Sequence, residues 1–296
     1  MMLLGSDDVQ GQITPCAIVV TGDGQVWPVP GFAGPGSGAS GQGMQEMIAS
    51  SARPARKLAR NLLRALYPPQ CMTCDTLVED EGALCPKCWA QTPFILGTCC
   101  DSCGLPLPGT DSTGPVHCDD CLTLARPWEQ GRAALLYGGR ARQILLGLKY
   151  GDRQDHVGPA ARWMARACAP ILQPGMLVAP IPLHWKRFLR RRFNQAALLS
   201  GALARNLGLE HCPDLLQRPR ATGSQDGRSR TGRFANMADA FTPHPRQRHR
   251  LQGRHILLVD DVMTAGATFS AGADTCLAHG AASVRVVALA RVTRPE

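Results

Sequence analysis

Two adjacent carboxylates, Asp260 and Asp261, sit between an apolar run, Ile256 to Val259, and a stretch of small and hydroxyl residues, Thr264-Ala265-Gly266-Ala267-Thr268. A loop of Thr, Ala and Gly lets backbone N–H groups close on an anion, and a helix starting behind it adds a favourable dipole. The Thr264 and Thr268 hydroxyls can donate to the same oxygens. Asp260 and Asp261 lie too close to that loop to bind a phosphate themselves. They suit hydroxyl groups or a divalent cation beside it. Sugar hydroxyls on one side and a phosphate on the other describe a ribose 5-phosphate. The competing reading is a buried strand whose Asp pair only caps the next helix. The residue types on both sides of the pair argue against it.

A second constellation is metallic. Cys71 and Cys74 are separated from Cys85 and Cys88 by ten residues, and Cys100 and Cys103 from Cys118 and Cys121 by fourteen. Each group offers four thiolates, the donor set of a closed, tetrahedral, structural zinc with no position left for catalysis. Two structural Zn2+ ions are therefore expected. Gly104, after Cys103, suits a turn that needs positive φ. The spacing leaves open whether the pairs bind sequentially or interleaved. It also leaves open whether Cys99 replaces Cys100, and what His117 does beside Cys118.

These groups need elements to hold them. Ile256–Val259 reads as a strand buried on both faces, as in a parallel sheet. A helix over Phe269–His279 should follow and stop at Gly280. In open α/β sheets ligands bind beyond the carboxyl ends of the strands, which is where the acids fall. Upstream, Arg132–Tyr137 reads as a strand. Arg140–Tyr150 reads as a helix with Ile144, Leu145 and Leu148 inward and Lys149 near its end, and Asp155–Leu172 as a longer helix. Leu177–Leu183 is a strand opening into a Pro-stiffened loop. The cationic stretch Lys186–Gln195 and a helix over Gln195–Leu207, with Ala197, Leu198, Gly201 and Leu203 packed, come next. Leu215–Arg218 ends a strand, Arg220–Arg233 is a long polar loop, Asn236–Phe241 resumes a strand, and Ser283–Ala290 is a last β-branched strand.

The bulk numbers frame this reading. The chain has 296 residues, is 44% hydrophobic and only 5% aromatic, and carries a net charge of +9. The hydrophobic content supports a real core, in one large or two modest domains. Residues 1–50 are rich in Gly, Pro and Ser and are expected to be a disordered tail, with a short strand pair around Ile18–Val29 or a true start at Met44 or Met47 as alternatives. Residues 51–126 are expected to hold a basic amphipathic helix, Ala52–Leu66, and the cysteine module. Residues 127–296 are expected to hold the α/β domain. No run is apolar and long enough to span a membrane, and no secretory leader is visible. Of the 13 cysteines, eight are clustered pairs, which in a cytoplasmic chain read as metal ligands before disulfides. The positive charge fits polyphosphate or nucleic-acid partners without choosing between them.

The Asp260–Thr268 stretch closely resembles the ribose-phosphate motif of type I phosphoribosyltransferases. The match widens along the chain: the zinc pairs, Leu148-Lys149-Tyr150, Pro180-Ile181-Pro182-Leu183, Arg191-Arg192-Phe193-Asn194-Gln195-Ala196, Arg218 with Thr222 and Gln225, then Arg233, Asn236 and Phe241, in the order seen in the ComF family. Over about residues 60–292 the chain is similar to that family, which implies a type I phosphoribosyltransferase-like parallel sheet with helices on both faces behind a double zinc ribbon. The resemblance implies that Asp260 and Asp261 hold the ribose of phosphoribosyl pyrophosphate (PRPP). It implies that Thr264, Ala265, Gly266, Ala267 and Thr268 wrap its 5′-phosphate, and that Mg2+ accompanies the pyrophosphate. By position, Pro180, Ile181, Pro182 and Leu183 are the pyrophosphate loop, Lys149 and Arg191 are charge partners, and Arg220–Arg233 is a lid. The family's link is to natural competence, with single-stranded DNA and a competence helicase as implied partners. Ala265 stands where members often have a second Thr, and Arg192 where they often have Gly. No residue presents itself as a catalytic base, and the acceptor is unspecified. Three activities are compatible with these residues: phosphoribosyl transfer, non-catalytic handling of single-stranded DNA, and PRPP sensing.

Overall fold

The computed structural model describes residues 18–20, 26–28, 66–109, 114–150, 153–183, 193–219 and 240–293. The Ala52–Leu66 helix (but for Leu66), Arg191 and the rest of 184–192, and residues 220–239 with the expected lid lie outside the described residues. So does the tail, apart from two strands, β1 (Ile18–Val20) and β2 (Val26–Pro28). These pair antiparallel, with Val19 opposite Trp27, where the sequence allowed a strand pair.

Residues 38–296 form a separate compact unit. Its centre is a five-stranded sheet built from β3 (Gln130–Leu136), β4 (Leu177–Pro180), β5 (Glu210–His211), β8 (His255–Met263) and β9 (Ser283–Arg291). The order is β3-β9-β8-β4-β5, and every neighbouring pair is parallel. Chain order reverses between β4 and β8: β4 leads outward to β5, and β8 leads the other way to β9. The carboxyl ends of β4 and β8 therefore flank the switch point, where a ligand crevice opens in such sheets.

Helices cover both faces. Leu177, Ala179, Ile256, Leu258, Val284, Val286 and Ala288 point to the face packed by α6 (Ala267–Ala278) through Phe269, Ala273 and Cys276. Val178, Leu257, Val259, Val287 and Leu289 point to the other face. That face is packed by α3 (Gly139–Tyr150), α4 (Val157–Cys168) and α5 (Gln195–Leu207). The period-two alternation across a strand accounts for the division. On α5 the buried leucines are Leu199 and Leu203; Leu198, expected inside, is only half-buried.

Element boundaries differ from the sequence reading, most of all at the central strand. The central strand continues past Val259 to Met263, because its parallel ladder with β9 runs on through Asp260↔Ala288, Val262↔Ala290 and Met263↔Arg291. The acids thus lie within the strand. The strand expected over Asn236–Phe241 lies outside the described residues but for Ala240 and Phe241, which are in no strand; β7 (Thr242–Pro243) follows them, paired antiparallel with β6 (Leu216–Gln217).

The cysteine module, with short helices α1 (Pro86–Ala90) and α2 (Asp119–Thr123), lies along the otherwise open edge of β3. Leu136 N–H donates to Pro93 O at 2.8 Å, Ile95 N–H to Ala134 O at 3.0 Å, and Gly131 N–H to Asp101 O at 2.8 Å. Arg132 and Asp101 pair at 2.7 Å. Gly104, at φ +69°, sits where a Cβ would come within 2.7 Å of the Ala133 nitrogen. Only glycine permits both that backbone and that approach.

Candidate functional site

Successive residues of a strand point to opposite faces, so Asp260 and Asp261 diverge at the rim of the sheet. Asp261 meets Lys149, whose Nζ lies 3.0 Å from Oδ2. Asp260 Oδ1 accepts the Asp261 backbone N–H at 2.8 Å. Burial and the neighbouring Asp261 charge push the Asp260 carboxyl up to about 8, against the pull of that N–H, Lys149 and Arg218. A carboxylate held this way gains most from a cation or from hydroxyl donors placed against it.

The strand ends in the loop 264–268. Gly266 takes φ +82° and serves as the N-cap position of α6. The first N–H groups of that 12-residue helix have no intrahelical acceptor and face the crevice end of the sheet. Thr264 is exposed and Thr268 half-buried, while Gly266 and Ala267 are buried. This loop and the acids are contiguous, as the sequence reading required.

Pro180, Ile181, Pro182 and Leu183 open from β4 beside the acids. Ile181 N–H donates to Val259 O at 2.8 Å, one position before Asp260. Asn194 has two tasks. Its Oδ1 accepts the Ala196 N–H at 3.1 Å, capping α5, and its Nδ2 donates to Ile181 O at 3.2 Å. Gln195, buried in the core, donates from Nε2 to Leu148 O at 3.4 Å, next to Lys149. The Asn-Gln pair therefore fastens both the Pro-rich loop and the end of α3 that carries Lys149.

The cysteines resolve into two sets, Cys71/Cys74/Cys85/Cys88 and Cys100/Cys103/Cys118/Cys121, with the four sulfurs of each set within 4.8 Å of one another. Pairing is sequential. Cys99 and His117 stand outside both sets; His117 Nδ1 lies 3.1 Å from Ser102 Oγ. A tetrahedron with Zn–S bonds of about 2.3 Å has edges of about 3.8 Å. The Cys74–Cys85 and Cys103–Cys118 sulfurs are 3.6 and 3.7 Å apart. The Cys85 N–H donates to Cys71 Sγ at 3.3 Å, a knuckle bond that supports a thiolate. Without a cation the thiols oppose one another's ionisation: burial and the Cys103 charge push Cys118 up to about 11. The donor sets fit two structural zinc ions.

Two arginines, Arg126 and Arg291, escape the sequence reading, which names Arg218 but not its place against Asp260. Arg218 bears on Asp260 and stacks over Phe241 at 5.7 Å. Arg126 and Arg291 contact the 264–268 loop, through Ala265 O at 2.7 Å and Thr264 O at 2.5 Å. Only their charge is visible in the sequence; their partners are distant along the chain. A separate cleft of about 470 Å3 opens between the cysteine module and α4. Trp89, Phe94 and Trp163 line it, with ring centroids 4.4 and 5.3 Å apart, alongside Arg132 and Arg166.

Residues 62–122 match the double zinc ribbon domain family. The DNA utilization protein YhgH of Escherichia coli (strain K12) is 34% identical over 227 residues, covering 75% of this chain and 89% of that protein. The chain belongs to the ComF family. Competence protein ComFC of Bacillus subtilis (strain 168) is 27% identical over 243 residues, 75% of this ComF chain and 94% of its own length. Competence protein F of Haemophilus influenzae is 25% identical over 224 residues, 71% and 91% respectively. Among solved structures, the glutamine PRPP amidotransferase from B. subtilis aligns at 16% identity with a TM-score of 0.34, over 49% of this chain and 30% of that one. That likeness is too distant to carry an argument. This ComF chain has the double cysteine module and is kin to competence and DNA-utilization proteins. Among the described residues no helix is long and apolar enough to cross a membrane.

Proposed function

We infer that this chain binds Mg2+-PRPP at the carboxyl ends of β4 and β8, and that it acts in the cytoplasm in the uptake or use of DNA, with phosphoribosyl transfer to an acceptor as its activity. The observation that carries the reading is the junction of the Asp260–Asp261 pair with the 264–268 loop. Hydroxyl acceptors and an anion cradle stand next to each other at a sheet switch point, with Lys149 against Asp261. The acids take the ribose hydroxyls, and the loop N–H groups and Thr hydroxyls take the 5′-phosphate. The Pro180–Leu183 loop and Lys149 face the pyrophosphate. Mg2+ would supply charge neutralisation on the leaving pyrophosphate, the largest lever on a bond that loosens toward an oxocarbenium-like state. Asp260, crowded by burial and by Asp261, is the group that such a cation relieves.

The test is calorimetric titration of Mg2+-PRPP into the zinc-loaded protein beside the Asp260→Asn/Asp261→Asn double variant. Binding that vanishes in the variant supports the site. Equal affinity in the two proteins rejects it.

A second reading, direct handling of single-stranded DNA, is favoured by the Trp89–Phe94–Trp163 cleft. Aromatic faces flanked by arginines stack bases and hold phosphates. Replacing Trp89 and Arg166 by Ala should weaken binding of an oligothymidine and flatten its salt dependence. Unchanged affinity and slope would remove this cleft from consideration.

A further inference from the structure

We propose that Arg126 and Arg291 are positioning residues that make the second cysteine cluster the back wall of the phosphate loop, so that zinc at Cys100/Cys103/Cys118/Cys121 and an anion at residues 264–268 each strengthen the hold on the other. The proposal rests on the PRPP reading only for the identity of the anion.

Three consecutive carbonyls, the last of β8 and the first two of the loop, are held from behind. Arg291 Nη1 donates to Met263 O at 3.3 Å and Thr264 O at 2.5 Å, and also to Val292 O at 2.6 Å. Arg126 Nη1 donates to Ala265 O at 2.7 Å. In a trans peptide the C=O of one residue and the N–H of the next point in opposite directions. Fixing the carbonyls of Met263, Thr264 and Ala265 toward the guanidiniums therefore turns the N–H groups of Thr264, Ala265 and Gly266 the other way, to the side where an anion would sit. The arginines do not touch that anion. They set the donors that do.

Both arginines also reach the second cluster. Arg291 Nη2 lies 3.7 Å from Cys103 Sγ, and the Arg126 guanidinium stacks at 5.2 Å over the ring of Trp128, which is bonded into the Cys100–Cys103 knuckle. Arg291 is only 4% exposed, so its charge needs a buried counter-charge. Four thiolates around Zn2+ leave two excess negative charges, and two guanidiniums balance them. A third strut runs alongside. Trp128 Nε1 donates to Ser102 O at 2.6 Å inside the Cys100–Cys103 knuckle, and its ring lies edge-on to Phe269 of α6 at 6.3 Å. A Cβ on Gly266 would meet Arg126 Nη1 at 2.9 Å and Trp128 at 3.0 Å. Loop and cluster are in contact through these two side chains.

The first cluster has a different setting. Cys71, Cys85 and Cys88 form their own small core, whereas Cys100, Cys103 and Cys118 share a core with Leu258, Ala267 and Phe269. The two zinc ions should therefore behave differently toward a loop ligand. Coupling between two sites is reciprocal, which makes the difference measurable from the zinc side.

The experiment follows zinc release to a chromogenic chelator from the full chain, with and without Mg2+-PRPP, together with hydrogen exchange of the 264–268 amides by mass spectrometry. Wild type, Arg126→Gln, Arg126→Lys and Cys121→Ser are compared. We expect saturating Mg2+-PRPP to slow release of one of the two zinc ions by about five-fold or more, the lower range of such couplings. Arg126→Gln should abolish that slowing and raise loop exchange while α4 amides stay unchanged. Arg126→Lys, which keeps a donor and a charge, should restore part of it. Cys121→Ser should raise loop exchange in the same segment. Should the native protein not bind Mg2+-PRPP, the function reading fails, yet the exchange arms still decide the coupling. Loop exchange unchanged in both Arg126→Gln and Cys121→Ser, or ligand that slows both zinc ions equally, would overturn the proposal.

Discussion

Asp260→Asn should make the ligand-free protein more stable while abolishing its function. In the native state burial and the Asp261 charge raise the Asp260 carboxyl from 3.8 to about 8. A carboxyl raised on folding contributes fully below its unfolded value, near pH 4, and its contribution is lost as pH rises through the native value near 8. Each unit of pH inside that window costs about 1.4 kcal/mol, a nominal ~4 kcal/mol at pH 7. Relaxation around the Asp260–Asp261 pair should reduce this to about 1–3 kcal/mol. Asn keeps the shape and still accepts the Asp261 N–H, so little is lost in exchange. For a domain of this size the gain corresponds to a Tm rise of about 2–4 °C per kcal/mol. Denaturant unfolding of both proteins at pH 5, 6, 7 and 8, with zinc present throughout, is the assay. The stabilisation should grow steadily with pH. A difference that is absent, or flat across that range, would refute the claim that Asp260 is crowded by burial and by Asp261.

Other outcomes follow from the same geometry. Gly266→Ala should cost about 1–3 kcal/mol, because φ +82° is strained for any residue with a Cβ and the new atom meets Arg126 and Trp128; the loss is read by thermal melting, with weaker Mg2+-PRPP binding by calorimetry. Asn194→Ala removes the cap of α5 and the bond to Ile181, and should cost about 1 kcal/mol, with faster exchange at the Ile181 amide. His156 and His211 are both held below their ordinary range by burial. Their contribution is present above about pH 6.5 and is lost as pH falls. His156→Gln should narrow the stability gap between pH 7.5 and 5.5, read by denaturant unfolding at fixed free zinc.

The site was more legible than the elements around it. Asp-Asp followed by Thr-Ala-Gly-Ala-Thr restricts chemistry by residue type alone, and the two cysteine quartets do the same. Boundaries were less visible because pairing, not polarity, ends a strand: β8 runs on through two carboxylates because β9 still lies beside it. The two-residue strands β5, β6 and β7 are too short for any periodicity to register. Spacing could not separate sequential from interleaved zinc ligation; the sulfur positions do. Asn194 carried a local signal, an N-cap residue type directly before a helical run, that a closer reading would have found. Arg126 and Arg291 carried none. Each matters through partners that only the fold brings near, and in an Arg-rich chain such residues look like ordinary surface charge.

The placement of β3 has a consequence for how the chain acquires its shape during synthesis. Among the described residues its partner strand in the sheet is β9, the last of the five in chain order, with Gln130 opposite Arg285. Closing a loop of about 150 residues is slow, and the strand waits meanwhile with both edges exposed. The cysteine module precedes β3 in the chain and bonds to one of those edges through Pro93, Ile95 and Asp101. A nascent chain that has loaded its metal can therefore shield half of this strand before the other half has a partner, and a ribosome-stalled chain ending before Ser283 should aggregate faster when zinc is withheld.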